Sequence, residues 1–186
     1  MSLLHIYDLP LPGLKLIERT RLGDERGFLS RLFCAEELAG TGWNKPIAQI
    51  NHARTFKRGT VRGMHYQCPP HAEMKLVNCL HGEVWDVAVD LRTSSKTFLH
   101  WHAENLSADN RLALLIPEGF AHGFQALTDD VELLYCHSAS YVPASERGLN
   151  PREPMLGIDW PLPMAALSER DARFEWLAQG FEGIRL

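Results

Sequence analysis

The sequence feature that most constrains the fold is a series of short apolar or alternating runs separated by residues that favour turns. These runs lie in the middle of the chain, at 74–80, 83–91, 112–116, 122–127 and 131–138. Runs of this length and spacing are typical of β-strands. The turn signals between them, such as His81-Gly82 and Asp129-Asp130, leave room for short antiparallel connections rather than long crossovers. The pattern predicts an all-β sandwich or barrel.

Helical signals are confined to two places. One is 35–39, and the other is the C-terminal tail, where Ser168 can cap a helix that runs through Glu169, Arg170 and Asp171. A chain of 186 residues with 45% hydrophobic content can build one sizeable core. We therefore predict a single domain over 1–186, with a partly helical tail at about 162–186.

Charge and composition limit the kinds of molecule that the protein is expected to bind. The formal net charge of -4 argues against broad electrostatic binding to nucleic acid, so phosphate binding must come from a few locally placed cations. The four cysteines form no C-x-x-C pair, which predicts reduced thiols. Nowhere do eighteen apolar residues follow one another, and the N-terminus has no basic region ahead of a long apolar run. We expect a cytoplasmic protein that contacts no membrane and binds a small molecule.

The run 83–91 alternates in a way that separates two strand faces. Trp85, Val87, Val89 and Leu91 share one face, which we predict to be core. Val84, Asp86, Ala88 and Asp90 share the other. Because this second face carries carboxylates among small apolar residues, solvent exposure is the simpler interpretation. The lining of a polar cavity is the alternative.

A possible catalytic histidine lies in Gly59-Thr-Val-Arg-Gly-Met-His-Tyr-Gln67. In a regular strand, Arg62 and His65 would lie on opposite faces, between glycines that let other backbone approach closely. The ordinary pKa of a histidine lies near neutrality, so His65 can act as a general base. A hydrogen-bonded structural histidine is the alternative.

Two further motifs resemble those of cupin jelly rolls. Pro117-Glu-Gly-Phe-Ala-His122 resembles the second cupin motif, and Lys75 with Gly82 resembles the end of the first. Metal cupins carry a glutamate ligand where this chain has Lys75, and an ammonium group cannot ligate a metal. The remaining plausible ligands are His65, His71 and His122. We therefore expect no metal, and we predict that Lys75 stabilises a developing oxyanion; a surface lysine is the alternative.

Several motifs in order resemble one enzyme family, the dTDP-4-dehydrorhamnose 3,5-epimerases. The resemblance runs from about residue 10 to residue 171. It rests on Asp24-Glu-Arg-Gly27, Gln49-Ile-Asn51, the 59–67 segment, Lys75-Leu-Val, Gly82-Glu-Val-Trp-Asp-Val-Ala-Val-Asp-Leu-Arg92, Leu106-Ser, Ile116-Pro-Glu-Gly-Phe-Ala-His-Gly-Phe124, 135–141 and Gly157-Ile-Asp-Trp-Pro161.

The resemblance implies a jelly-roll subunit in a homodimer that exchanges N-terminal strands, working without a cofactor. It also implies a substrate that is a nucleoside-diphosphate 4-keto-6-deoxysugar. The implied reaction epimerises C3 and C5 through an enolate. His65 matches the family's base and Tyr135 its general acid, while Lys75 can stabilise the enolate. Asp171 matches the carboxylate that orients His65, although a helix cap alone would explain the same Ser-Glu-Arg-Asp run.

Further residues are implied as substrate contacts. Arg62 and, from the exchanged segment, Arg26 resemble the diphosphate clamps, since guanidinium groups bind phosphate oxygens in a bidentate way. Gln49 and Asn51 correspond to polar residues around sugar and phosphate. The alternatives are a surface salt bridge for Arg26 and capping of turns or strands for the two amides. Tyr141, alternatively a core residue, matches a contact to the base, and His122 matches a pocket histidine.

The sequence also departs from the family pattern. Arg31 stands where the family commonly has a glutamate of the nucleotide site, and the segments 136–140 and 149–153 differ from the usual ones. These departures leave three alternatives open. The first is an epimerase that acts on one carbon or on another nucleotide sugar. The others are a non-catalytic sugar-nucleotide binding cupin and a metal-dependent cupin.

Overall fold

Two antiparallel sheets form the body of the molecule in the computed structural model, which describes residues 2–186. The first sheet has six strands, in the order β1 (Leu4–Asp8), β2 (Lys15–Arg19), β10 (Leu112–Ile116), β7 (Lys75–His81), β12 (Val131–His137) and β5 (Gln49–Thr55). The second sheet has five, in the order β13 (Glu146–Gly148), β6 (Val61–Gln67), β11 (Phe120–Ala126), β8 (Glu83–Asp90) and β9 (Trp101–Ser107).

The remaining elements are small. Strands β3 (Arg21–Asp24) and β4 (Gly27–Ser30) form a separate two-stranded hairpin, which we call the N-terminal hairpin. Helix α1 spans Ala35–Leu38 and continues as a 3₁₀ turn over Ala39–Thr41, and α2 spans Glu169–Ala172. No helix within residues 2–186 is long and apolar enough to cross a membrane.

The prediction of an all-β jelly roll is confirmed. Every pairing between the named strands is antiparallel, and the five apolar runs fall on β7, β8, β10, β11 and β12 with ends shifted by at most two residues. Ser168 caps α2 as expected, because its hydroxyl accepts a hydrogen bond from the backbone N–H of Asp171.

The main core lies between the two sheets. Val77, Leu114 and Leu133 contribute from the first sheet, and Ala88 and Phe124 from the second; all are at most 2% exposed. Because successive side chains of a strand point to opposite faces, the outer face of each sheet needs its own cover. Side chains around α1, including Leu38 and Trp43, cover the outer face of the first sheet.

The C-terminal third covers the outer face of the second sheet, which corrects one prediction. Leu149, Leu156 and Ile184 pack there against Val87 and Val89. With that face buried under the tail, the opposite face of β8 points between the sheets. Its members Val84, Asp86, Ala88 and Asp90 are all 0% exposed, so the expectation of a solvent-exposed face is wrong.

A bulge in β6 overturns a second prediction. His65 pairs with His122 and Arg62 with Phe124, so three steps along β6 match two along β11. The extra residue brings Arg62 and His65 to the same cavity instead of opposite faces. Glycine is required here, since a Cβ on Gly63 (φ +124°) would lie 2.5 Å from the Cα of Gly123.

Gly63→Ala tests this close approach. The added methyl group has no room against β11, and the positive φ disfavours alanine, so we expect a loss of roughly 3 kcal/mol in the free energy of unfolding. Chemical denaturation measures it. Gly40→Ala is the matched control, because nothing lies within 4 Å of its added Cβ, and it should change stability by less than about 0.5 kcal/mol. Equal stability of the two variants would contradict the role of the bulge.

Candidate active site

A cavity of about 1030 Å³ opens at one end of the sandwich. It forms where the inward faces of the strands change from apolar to polar. Along β12 the inward side chains run from Leu133 in the core to Tyr135 and His137 in the cavity wall. The neighbouring β7 runs from Val77 to Lys75 in the same direction, and His137 lies opposite Lys75 in the pairing.

His65 and Asp171 form a close pair on the wall from the second sheet. Their Nε2 and Oδ1 atoms are 2.7 Å apart, and the Asp171 side chain is 3% exposed. Burial by itself raises the pKa of Asp171, but hydrogen bonds from His65 and from the Gly63 backbone N–H outweigh it and lower the pKa below its ordinary value. Asp171 therefore both belongs to a capped helix and contacts His65, so the two interpretations of the Ser-Glu-Arg-Asp run hold together.

Lys75 lies inside the cavity wall, and its side chain is 9% exposed. The interpretation as a surface lysine is therefore wrong. Its Nζ donates to the backbone carbonyl of His65 at 3.3 Å and is 3.2 Å from Oε1 of Glu73. The ammonium group thus lies beside the histidine that is the candidate base.

Tyr135 lies on the first sheet and faces the same cavity. Its ring packs edge-on against His122 and stacks on His137, with centroids 5.9 and 6.0 Å apart. Burial, together with the nearby charge of Asp86, raises the pKa of Tyr135 well above its ordinary value. The phenol therefore keeps its proton at neutral pH and can act as a donor.

His122 is anchored by a carboxylate. Its Nε2 lies 2.9 and 3.0 Å from the two carboxylate oxygens of Asp86, which is 0% exposed. A carboxylate buried this deeply needs a hydrogen-bonding partner. The pair fixes the orientation of the His122 ring at the cavity wall.

The predicted substrate contacts Arg62, Gln49, Asn51 and Tyr141 all line the cavity. Arg62 donates to the Thr55 hydroxyl at 3.0 Å and to a backbone carbonyl at 3.1 Å. The two amides are hydrogen-bonded to each other at 2.9 Å, and Gln49 also accepts from the backbone N–H of Tyr141. Tyr141 is 48% exposed, so the interpretation as a core residue is wrong.

Arg26 is not among the residues that line this cavity. It lies on the N-terminal hairpin, with a side chain that is 85% exposed and paired with Asp24. Arg31 also lies outside the cavity and pairs with Glu37. The structure therefore separates these two residues from the other predicted contacts.

Several cavity residues escaped the sequence predictions, and four of them contact predicted site residues. Glu73 and His137 each stand two residues from a predicted member, Lys75 and Tyr135, and β-alternation could have found them. Arg170, whose Nη2 lies 2.9 Å from His65 Nε2, is adjacent to Asp171. Glu146, which pairs with Arg170 at 2.8 Å, carried no sequence signal.

The three histidines named as plausible metal ligands do not all line the cavity. His65 and His122 line the cavity, whereas His71 bonds to Ser145 and is not among the lining residues. Across residues 2–186, the structure brings no three His, Cys, Asp or Glu side chains together in a way that could hold a metal ion. What the cavity does offer is a histidine–aspartate pair and a protonated phenol on facing sheets, with an ammonium group beside the histidine.

Comparison with known sequences shows the family to which the chain belongs. A profile of the family described as dTDP-4-dehydrorhamnose 3,5-epimerase matches residues 8–179. The chain belongs to this family. Among curated members, the dTDP-4-dehydrorhamnose 3,5-epimerase of Pseudomonas aeruginosa is 44% identical over 169 residues, which cover 88% of this chain and 90% of the relative. The enzyme of the same name from Shigella flexneri is 41% identical, with 90% and 93% covered.

Solved structures agree with the family membership. The dTDP-6-deoxy-D-glucose-3,5-epimerase of Legionella pneumophila, in complex with dTDP-4-keto-L-rhamnose, superposes with a TM-score of 0.91 at 37% identity, and the match covers 98% of both chains. A 3′-monoepimerase of Streptomyces bikiniensis, in complex with dTDP-quinovose, superposes with a TM-score of 0.83 at 35% identity, covering 90% of this chain and 85% of the other. The structural neighbours of this chain therefore include proteins described with different regiochemistry.

The environment of Tyr135 makes a spectroscopic prediction. Since its pKa is raised, the phenol should remain protonated where an ordinary tyrosine, with a pKa of about 10, is half ionised. Comparing tyrosinate absorbance of the unchanged protein and Tyr135→Phe across an alkaline titration isolates its contribution. We expect the two curves to coincide up to about pH 10. A difference that develops near neutral pH would refute a protonated donor at this position.

Proposed function

We propose that the protein epimerises C3 and C5 of dTDP-4-dehydro-6-deoxyglucose, giving dTDP-4-dehydrorhamnose. The observation that carries the proposal is the pairing of a histidine–aspartate dyad and a protonated tyrosine on facing walls of one cavity, with Lys75 beside the histidine. Epimerisation next to a ketone requires a base on one face of the carbon and an acid on the other, and the walls supply both.

The proposed mechanism begins with proton removal. Nε2 of His65 donates to Asp171, so the other ring nitrogen takes the proton from the carbon next to the C4 ketone, and the C–H electron pair moves to form an enolate. Asp171 stabilises the imidazolium that results, as a buried carboxylate acceptor. The Lys75 ammonium stabilises the negative charge on the enolate oxygen in a site largely withdrawn from water.

Inversion follows when the proton returns from the other side. Tyr135 donates its phenolic proton to the face opposite His65, so a new C–H bond forms with the reversed configuration. The phenolate then regains a proton from solvent while His65 releases one, and the cycle repeats at the second carbon. Each positioned proton transfer contributes roughly two to four orders of magnitude in rate.

The rest of the cavity accommodates the nucleotide sugar in this proposal. Arg62 binds the diphosphate, which its exposed guanidinium group can reach from the cavity wall. Gln49 and Asn51 contact sugar and phosphate. Each amide retains one uncommitted N–H, since Gln49 uses one toward Asn51 and Asn51 uses one toward His137. His122 contacts the sugar, and Tyr141 at the mouth stacks against the base.

A second candidate is an epimerase that acts at one carbon. The likeness to the Streptomyces bikiniensis 3′-monoepimerase favours it, as do Arg31 and the altered 136–140 and 149–153 segments. Both reactions share the base, the acid and the cation. They differ in how many carbons exchange protons with solvent, which an isotope experiment can count.

We also propose a homodimer of single-domain subunits, each spanning 1–186, in which the N-terminal hairpins are exchanged. The hairpin pairs with neither large sheet, and Leu22, Phe28 and Leu29 are 51–70% exposed on it. An exposed apolar surface of this kind is expected to be covered by a partner. Arg26 would then reach the diphosphate in the neighbouring subunit. The cytoplasmic location stays a prediction.

Deuterium exchange tests the reaction. Incubation with dTDP-4-dehydro-6-deoxyglucose in deuterated water, followed by NMR, should show exchange at C3 and C5; exchange at one carbon selects the second candidate.

His65→Ala should slow exchange at every reactive carbon by about 100-fold or more. Tyr135→Phe should retain part of the exchange but little inversion. His100→Ala, an exposed histidine outside the cavity, is the control. Full exchange in His65→Ala would contradict the mechanism.

Mixing two inactive variants tests the exchanged hairpin. Arg26→Ala and His65→Ala should each be impaired alone. In a mixed dimer, the cavity with an intact His65 receives the hairpin with an intact Arg26, so activity should return to about a quarter of the unchanged level after random subunit exchange. The measurement is turnover after co-refolding. Activity no higher than the average of the two variants would show that Arg26 does not act across subunits.

A further inference from the structure

Beyond the proposed catalytic residues, the wall of the cavity holds a continuous line of hydrogen bonds. It begins at the backbone N–H of Tyr141, which donates to Oε1 of Gln49 at 3.0 Å. Nε2 of Gln49 donates to Oδ1 of Asn51 at 2.9 Å, and Nδ2 of Asn51 lies 3.3 Å from Nε2 of His137. At the other end, Nδ1 of His137 lies 2.8 Å from Oε2 of Glu73, whose Oε1 faces Lys75 at 3.2 Å.

The groups at the two ends of this line determine which atom donates and which accepts at every link. A backbone N–H can only donate, so Gln49 must present its oxygen to Tyr141 and its amide N–H to Asn51. Asn51 then accepts through oxygen and presents N–H to Nε2 of His137, which must accept. The carboxylate of Glu73 accepts from Lys75 and from Nδ1. The proton arrangement consistent with every link is therefore a neutral His137 with its hydrogen on Nδ1.

The line also holds Glu73 ionised. Its side chain is 9% exposed, and burial alone favours the neutral acid. The hydrogen bond from His137 and the charge of Lys75 outweigh burial and lower the pKa of Glu73 below its ordinary value. A carboxylate is thus kept beside the Lys75 ammonium, and the His137 ring that holds it is stacked on Tyr135.

We propose that Glu73 and His137 are positioning residues, which hold Lys75 and Tyr135 in place for catalysis through this one-way line of hydrogen bonds from the cavity mouth. The inference rests on the proposed function for its catalytic consequence. Its structural part, the tautomer of His137 and the Glu73–Lys75 contact, does not. Neither residue needs to touch the substrate, so their loss should act on turnover more than on substrate binding.

The tautomer can be read without any substrate. Two-bond ¹⁵N–¹H correlation spectra of histidine-labelled protein distinguish Nδ1–H, Nε2–H and imidazolium rings, and the His137 signal among the nine histidines is the one missing in His137→Asn. We expect a neutral ring protonated on Nδ1 at neutral pH. An Nε2–H ring or an imidazolium would overturn the proposal, whatever the activity of the protein.

The catalytic consequence is tested with matched substitutions. Glu73→Gln removes the charge beside Lys75 at nearly constant shape, and we expect kcat to fall by about ten- to a hundredfold while KM changes less than about twofold. Glu104→Gln is the control, because it alters a similar Glu–His contact, 2.7 Å from His102, outside the cavity. It should leave both constants unchanged.

Two substitutions of His137 distinguish a positioning role from a role in general packing. Asparagine can present an N–H near the place of Nδ1, so His137→Asn should retain turnover within about threefold, whereas His137→Leu should match Glu73→Gln. Native kcat in Glu73→Gln, or equal losses in the two His137 variants, would overturn the proposal. If the unchanged protein itself exchanged no protons, the proposed reaction would fail, and the tautomer measurement would still decide the hydrogen-bond line.

Discussion

The close approach of β6 and β11 at Gly63 and Gly123 is the constraint on which the site depends. With no Cβ on either residue, the two strands come together and β6 gains its bulge. The bulge carries His65 to the cavity beside Arg62, and it leaves the Gly63 N–H within 3.3 Å of Asp171. One packing contact therefore aligns a candidate base with its carboxylate.

That carboxylate also ties the C-terminal tail to the barrel. Asp171 lies in the first turn of α2, and its buried side chain is held by His65 and Gly63 from β6. Further along, residues of the tail bury the outer face of β8 and β11. The same segment thus completes the core and completes the site, so a change that loosens the tail is expected to affect stability and chemistry together.

Hydrogen-bonded partners for its carboxylates explain how the cavity can be polar and still lie inside a β-sandwich. Three carboxylates in or behind its walls, Asp86, Glu73 and Asp171, each face a histidine, and Glu73 also faces Lys75. An unpaired charge buried this deeply would be costly, whereas a hydrogen-bonded pair is tolerated and holds its members in one orientation. A substrate would therefore meet groups whose directions are set before it binds, which reduces the reorganisation that a proton transfer requires.

The sequence by itself determined the class of fold, the positions of five strands, the cap at Ser168 and the family, because these depend on local periodicity, turn residues and short motifs. It also identified the residues His65, Lys75 and Tyr135, which the structure places around one cavity. Only the tertiary structure decided that Arg62 and His65 share a cavity, since a bulge arises from the approach of two strands distant in sequence. It likewise decided that the carboxylate face of β8 is buried and that Glu73 and His137 join the site. Burial and hydrogen-bond partners depend on which elements cover a strand, and alternation along one strand does not contain that information.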